Sequence, residues 1–223
     1  MTWQFCAIVG SRVCPFPSSR RLAQAHHIGL SGIQDLRLCL DTYLDMASTT
    51  TLPFSLRALE VSGGVGSNIW SSLLESSPSL TRLEVDYPQV SSVSDTLLAN
   101  PNLLCTFRHL KFGDPGPKEF DIISKCASLV SLELEVVFLD ILEGILPLLR
   151  PTFAELSVKL GGSREPHFSL LSEAVGKENL GGLRKLELPS VLRTEAEMTD
   201  EGKALIERCA ECRVALVWSD RMR

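Results

Sequence analysis

The pair Cys209-Ala-Glu-Cys212 comes closest in this chain to a reactive or metal-binding motif. A Cys-x-x-Cys pair can hold zinc when a second pair or nearby histidines complete the ligand set, and neither follows here. It can also exchange thiols and disulfides, but that chemistry normally sits in a thioredoxin-type βαβ context, which this segment lacks. We therefore expect Cys209, like Cys126, to be a small apolar residue at the end of a helix.

A glycine-rich segment, Gly63-Gly-Val-Gly-Ser-Asn-Ile69, has the position that a phosphate-binding loop would need. It follows a predicted strand and precedes a predicted helix. However, Ile69 stands where a dinucleotide-binding motif has its third glycine, and no Lys-Ser/Thr follows as in a P-loop. The sequence predicts an ordinary turn between a strand and a helix.

The four histidines are scattered, and no pair has the spacing of a helical metal site. They are His26, His27, His109 and His167. No Gly-x-Ser-x-Gly segment is present for a serine nucleophile either. The sequence therefore predicts no enzyme, no metal and no cofactor.

The charged residues carry more information, because many alternate with apolar residues in seven short segments. Alternate residues of a strand point to the same face, so these segments predict a polar face crossed by columns of side chains. The first column is Asp35, Ala58, Arg82, His109, Ser131, Glu155 and Lys185. The candidates for contact with a partner are Arg37, Glu60, Arg82, Glu84, Asp86, His109, Lys111, Glu133, Glu135, Glu155, Lys159, Lys185 and Glu187.

The balance of charge across these columns favours a partner with basic residues, since acidic residues outnumber basic ones eight to five. The alternative is a solvated face without a partner. Neighbouring opposite charges, such as Glu84 beside Lys111 beside Glu133, would then stabilise the sheet by a few tenths of a kcal/mol each.

The strands that carry these columns share one phrase: apolar, two variable residues, leucine, one variable residue, apolar. Successive copies lie 23, 24, 27, 22, 24 and 30 residues apart. They begin at Ile33, Leu56, Leu80, Phe107, Leu129, Phe153 and Leu183. This period is typical of a leucine-rich repeat, and the central leucine of every phrase should point into a shared core.

The segments between the phrases predict helices, because each contains a turn followed by apolar residues at helical spacing. Strands joined by helical crossovers run parallel. The predicted fold is an α/β leucine-rich repeat solenoid of seven or eight repeats. It should form a right-handed arc, with a parallel sheet on the concave side and helices on the convex side.

The predicted repeat domain covers residues 33–218. Residues 1–32 are predicted to be an irregular N-terminal cap or an unassigned segment, and residues 219–223 a short tail. In the last unit, Thr199 should cap a helix. The strand that follows, 213–218, fits the phrase weakly through Cys212, Ala215 and Val217, and apolar residues on both of its faces predict burial of both.

Composition limits the partners and the compartment. A net charge of −5 among 223 residues gives no sign of binding to nucleic acid or to an anionic membrane. No apolar run approaches the roughly 20 residues of a membrane span. Seven scattered cysteines and no Asn-x-Ser/Thr acceptor favour the cytoplasm or nucleus. A mitochondrial transit peptide is the alternative, because residues 1–34 hold arginines and serines but no acid.

Three strand entries add a family resemblance: Ser77-Pro-Ser-Leu80, Asn100-Pro-Asn-Leu103 and Lys125-Cys-Ala-Ser-Leu129. They resemble the entries to the strands in leucine-rich repeats of F-box proteins, especially fungal ones. The resemblance implies that the repeats recognise a substrate protein. In that family a separate F-box helix bundle couples the repeats to the adaptor of a cullin ubiquitin ligase. Residues 1–32 are too few for such a bundle, so no adaptor-binding residue is carried over.

The sequence thus predicts a non-catalytic module for binding proteins, with an F-box-like substrate-recognition role but no recognisable F-box. Two alternatives remain open at this point. One is a stand-alone adaptor or inhibitor without a ubiquitin connection. The other is a degenerate or organelle-targeted structural protein.

Overall fold

The computed structural model of the chain describes residues 5–9, 12–16, 34–39, 51–52, 54–86, 90–113, 115–135, 139–159 and 168–220. Several residues singled out above lie outside these ranges: His26, His27, Ile33, His167 and residues 221–223.

Ten strands in the described residues form one open sheet, in the order β10-β9-β8-β7-β6-β5-β4-β3-β1-β2. Eight of them, β3 to β10, run parallel and follow one another along the chain. Antiparallel β1 and β2 extend the sheet at its β3 edge. The strands are β1 (Phe5–Val9), β2 (Arg12–Phe16), β3 (Asp35–Cys39), β4 (Ala58–Ser62), β5 (Arg82–Val85), β6 (His109–Phe112), β7 (Ser131–Leu134), β8 (Glu155–Val158), β9 (Lys185–Pro189) and β10 (Ala215–Ser219).

The register of the parallel strands confirms the predicted alignment of the phrases. The central leucines pair directly in the order Leu36, Leu59, Leu83, Leu110, Leu132, Leu156 and Leu186. Each is at most 7% exposed, and the last apolar residue of each of these phrases is buried as well. One interior row of leucines therefore runs through the sheet, as the alternation of apolar and variable residues requires.

Eight α-helices in the described part of the chain connect the strands and cover the leucine-bearing face, since buried residues of helices and strands form one cluster. They are α1 (Ser67–Glu75), α2 (Val90–Leu98), α3 (Pro101–Leu104), α4 (Pro117–Lys125), α5 (Leu139–Ile145), α6 (Phe168–Ala174), α7 (Arg193–Met198) and α8 (Asp200–Glu211). The arrangement is an α/β fold compatible with a solenoid.

Local sequence explains where several helices begin and end. Pro101 and Pro117 occupy the first turns of α3 and α4, where a missing N–H costs nothing. Thr199 caps α8, as expected, by accepting a hydrogen bond from the Gly202 N–H at 3.2 Å. Pro147 lies in a short 3₁₀ turn that follows α5, so the chain changes helical type there.

Polar side chains at helix ends tie neighbouring units together. The Ser77 hydroxyl accepts a hydrogen bond from the Leu56 N–H at 3.0 Å. Thr106 donates to the carbonyl of Leu80 at 2.6 Å, and Asn179 donates to the carbonyl of Leu146 at 2.8 Å. These bonds satisfy buried or partly buried backbone groups between units, which would otherwise destabilise the stack.

Two sequence expectations need correction. The segment 1–32, expected to be irregular, contains β1 and β2. In β10 the phrase is displaced by one residue. Leu216 and Trp218 pair with the core residues Leu186 and Leu188, while Ala215 and Val217 are exposed on the opposite face. Only one face of β10 therefore packs on the core.

No helix in the described ranges has the length and apolarity needed to cross a membrane.

Candidate partner-binding face

Ten of the thirteen candidate residues lie in strands on the face of the sheet opposite the leucines, which we call the open face. The other three, Asp86, Glu135 and Lys159, directly follow strands and contact charged residues of this face. The register places Asp35, Ala58, Arg82, His109, Ser131, Glu155 and Lys185 in one row, as the sequence predicts. The central row follows the same order, from Arg37 to Glu187. Every candidate side chain is half-buried or exposed, so the row of leucines and the charged rows occupy opposite sides of the same strands.

Three ion pairs join charged residues near the two ends of the open face. The Arg37 Nε lies 2.8 Å from a carboxylate oxygen of Glu60 on the next strand. Lys185 and Glu187 contact each other at 2.7 Å along one strand, and Arg82 contacts Glu84 in the same way. These contacts fix the direction of long side chains, although exposed pairs contribute at most about 1 kcal/mol each.

A denser network lies at the ends of β5 to β8. The Lys111 ammonium group is 3.1 Å from both Asp86 and Glu135. Lys159 is 2.6 Å from Glu133 and 2.7 Å from Glu135. The expected ladder from Glu84 through Lys111 to Glu133 is thus only partly formed, because the Lys111–Glu133 separation is 4.0 Å and Glu84 turns to Arg82.

The network shifts the pKa values of Lys111, Glu135 and Lys159 toward their charged forms. Partial burial works to lower the pKa of Lys111, but hydrogen bonds to Asp86 and Glu135 outweigh burial and raise it. Burial works to raise the pKa of Glu135, whereas hydrogen bonds from Lys159 and Lys111 lower it, and the lowering prevails. The pKa of Lys159 is raised, because its contacts with Glu133 and Glu135 outweigh its burial. These charges therefore stabilise one another in the folded chain.

Two residues outside the network have pKa values that burial moves toward the neutral form. Burial raises the pKa of Glu60, despite the nearby Arg37. Burial and the charge of Arg82 lower the pKa of His109, so this imidazole is neutral at pH 7.

Two grooves cross the open face where small residues replace long ones. A groove of about 270 Å³ lies over Ser131 and Ser157, between His109 on one side and Glu155 on the other. A second, of about 370 Å³, lies over Ala58, between Asp35 and Arg82. The prediction of candidates rested on charge and therefore did not include Ala58, Ser131 or Ser157. A small residue between long side chains in a row of the open face is the sequence signal that could have predicted each groove.

The cysteines and the glycine-rich segment considered above as possible reactive or binding motifs lie in the core or in a turn between secondary-structure elements. Cys126 and Cys209 are at most 2% exposed, and burial raises the pKa of their thiols to about 12 and about 11. Both thiols are therefore protonated and poorly nucleophilic at neutral pH. The glycine-rich segment joins β4 to α1, as expected, with a left-handed φ of 98° at Gly63. Within the described residues, no three His, Cys, Asp or Glu side chains form a group that could hold a metal ion.

Comparisons of the chain with protein-family models, curated proteins and solved structures find no match.

Proposed function

We propose that this chain is a non-catalytic protein-interaction module that binds a partner protein through the open face. One observation carries the proposal. Polar and charged side chains from β3 to β9 stand in continuous rows, while the opposite face of the same strands is buried under helices. A sheet face of this kind offers a broad polar surface held on a rigid base, which repeat proteins use for binding.

The specific role that we propose is substrate recognition by a leucine-rich repeat domain of the F-box type. The strand entries support it. Ser77 and Cys126, which belong to the F-box-like entries, are both buried at helix ends beside the strands. In this role the bound protein would be the substrate of a cullin ubiquitin ligase.

A stand-alone adaptor is the second candidate, and the N-terminal strands favour it. Antiparallel β1 pairs with β3 through Cys6↔Cys39, Ala7↔Leu38 and Ile8↔Arg37. The hairpin thus occupies the first edge of the parallel sheet, where it shields that edge from other pairings. An adaptor of this kind would bind its partner through the same open face, without a ligase.

Affinity purification tests the use of the open face. In the double variant Ser131→Tyr/Ser157→Tyr, two bulky side chains fill the groove over Ser131 and Ser157, on strands that tolerate tyrosine. We expect this variant to lose the partners that the wild type retains. The matched control Ser169→Tyr adds the same side chain at an exposed position of α6 and should keep them.

Mass spectrometry of the retained proteins separates the two roles. Cullin-ligase subunits among them support the F-box role, and partners without such subunits support the adaptor. Equal retention by the double variant and the wild type, with both folded, would contradict binding through the open face.

A further inference from the structure

Asp35 and Glu155, two carboxylates of the first column, are not neutralised by a lysine or arginine of the open face. In the described part of the chain, neither Asp35 nor Glu155 forms an ion pair, and both side chains are exposed. The six other acidic residues of the columns each contact a lysine or arginine: Glu60, Glu84, Asp86, Glu133, Glu135 and Glu187. The excess negative charge of this face is therefore concentrated at two places.

Each of these carboxylates borders one of the two grooves. Glu155 faces His109 across the small residue Ser131, because the three lie on successive strands in the same row. Lys185, the neighbour of Glu155 on the other side, is turned to Glu187 at 2.7 Å. The neutral His109 imidazole does not repel a cation that enters this groove.

The groove over Ala58 has the same arrangement. Asp35 faces Arg82 across Ala58, again on three successive strands. The charge of Arg82 is taken up by Glu84, and that of Arg37 by Glu60. Asp35 is thus left to attract a cation from outside the chain.

The separation of the two carboxylates sets the spacing of a ligand. Five strand intervals separate β3 from β8, which at about 4.8 Å each span about 24 Å. An extended peptide covers this distance in about seven residues, at about 3.3 Å per residue. A segment that crosses the strands could therefore place one basic side chain in each groove.

We infer that the open face binds an extended segment of a partner protein carrying two basic residues about seven positions apart, one beside Asp35 and one beside Glu155. This inference rests on the proposed function and deepens it by naming the chemistry of the partner. Charge complementarity favours this ligand over a uniformly basic segment, because, among the carboxylates described on the open face, only Asp35 and Glu155 are available to basic side chains of a partner. The carboxylates between the two grooves already form ion pairs within the chain.

Synthetic peptides test the inference directly. Peptides with two arginines in a serine and threonine background carry them three, seven or eleven positions apart, and binding is measured by fluorescence polarisation at low salt. We expect the seven-position peptide to bind most tightly. Asp35→Asn and Glu155→Gln should each weaken it by up to about fivefold, the upper range for an exposed ion pair. Glu173→Gln, which removes an exposed carboxylate from α6, should leave the affinity unchanged.

The outcomes distinguish this inference from the proposed function. Equal affinity at all three spacings, no binding, or no response to Asp35→Asn and Glu155→Gln would overturn the dibasic segment. The proposed function would still stand if Ser131→Tyr/Ser157→Tyr abolished capture of a natural partner. Thermal unfolding of each variant checks that the fold is intact, which we expect because both carboxylates are exposed.

Discussion

Gly182 lies in the turn before β9, against the turn that precedes β8. A Cβ atom at this position would be 2.0 Å from the carbonyl oxygen of Pro151, so the close approach of two units depends on glycine here. Gly181, its neighbour, has more room, since a Cβ there would lie 3.3 Å from the carbonyl oxygen of Glu178.

We expect Gly182→Ala to lower the free energy of unfolding by about 1–3 kcal/mol, because the backbone of one unit must move away from the next. Chemical denaturation measures the loss. Gly181→Ala is the matched control and should change stability by less than about 1 kcal/mol. Similar stabilities for the two variants would show that the units do not pack this closely.

Single residues also show the limit of prediction from the sequence. The alternation of side chains was enough to place Glu84, Lys111 and Glu133 in one row. It did not reveal that Glu84 turns to Arg82 on its own strand, because a long side chain chooses among several partners. The sequence therefore predicts which residues share the face but not which charges remain available to a partner.

At the scale of elements, the unit of β10 differs from its predecessors in the residue that begins it. Arg213 has a positive φ of 58°, and the Val214 N–H bonds back to the Cys209 carbonyl at 2.8 Å. Arg213 stands at the first position of the phrase, because its N–H bonds to the Ala210 carbonyl at 3.1 Å, as the N–H of Leu129 bonds to the carbonyl of Cys126. The predicted phrase required an apolar residue at this position, so it was aligned one residue too early, on Cys212.

The N-terminal hairpin was missed for another reason. Phe5–Val9 and Arg12–Phe16 are separated by two residues, Gly10 and Ser11, a spacing and composition typical of a hairpin. The repeated phrase begins only at residue 33, so it carries no information about this hairpin. The helices between the strands were easier to predict, because their apolar stripes pack on one core.

The charge network at the ends of β5 to β8 predicts a dependence of stability on pH. The pKa of Glu135 is lower in the folded chain than its ordinary value of 4.5, so the unfolded chain binds the proton more tightly. The stabilisation from this carboxylate is complete above pH 4.5 and is lost as pH falls through its folded pKa.

We therefore expect the unfolding free energy to decrease as the pH falls below about 4.5, and Glu135→Gln to flatten part of that decrease. Urea denaturation from pH 3 to pH 7 measures it. Glu60→Gln is the contrasting control: burial raises the pKa of Glu60, so this substitution should not reduce stability at pH 7. Parallel pH profiles for the wild type and Glu135→Gln would rule out the contribution of the network.

For the whole molecule, the row of leucines makes stability a shared property of all units. Leu132 is fully buried in the middle of the row, between Leu110 and Leu156. A charge at this position would have neither water nor a partner.

We expect Leu132→Asp to destabilise the chain by about 4 kcal/mol or more and to abolish cooperative thermal unfolding, with Leu83→Asp behaving alike. Ser131→Asp is the matched control, because it introduces the same side chain on the open face of the same strand. Circular dichroism during heating measures both. A Leu132→Asp variant that melts like the wild type would contradict the buried row.

The number and order of the parallel strands, and the register of β3 to β9, could thus be predicted, because one phrase repeats and each copy buries the same positions. The grooves could not, since each is formed by side chains from several units whose rotamers depend on neighbours. The small residues Ala58, Ser131 and Ser157 can be recognised as the floors of the grooves only after the strands are aligned, because the longer neighbouring side chains come from adjacent strands.

The parallel order of β3 to β10 also has a consequence for how the chain reaches this fold. Partners in adjacent strands are close in sequence, from 22 residues for Leu110 and Leu132 to 30 for Leu156 and Leu186. Every loop closed during folding is therefore of similar, moderate length, with a similar entropic penalty. Assembly can begin at any adjacent pair and grow outward, and on the ribosome each newly emerged strand can join a template that is already in place.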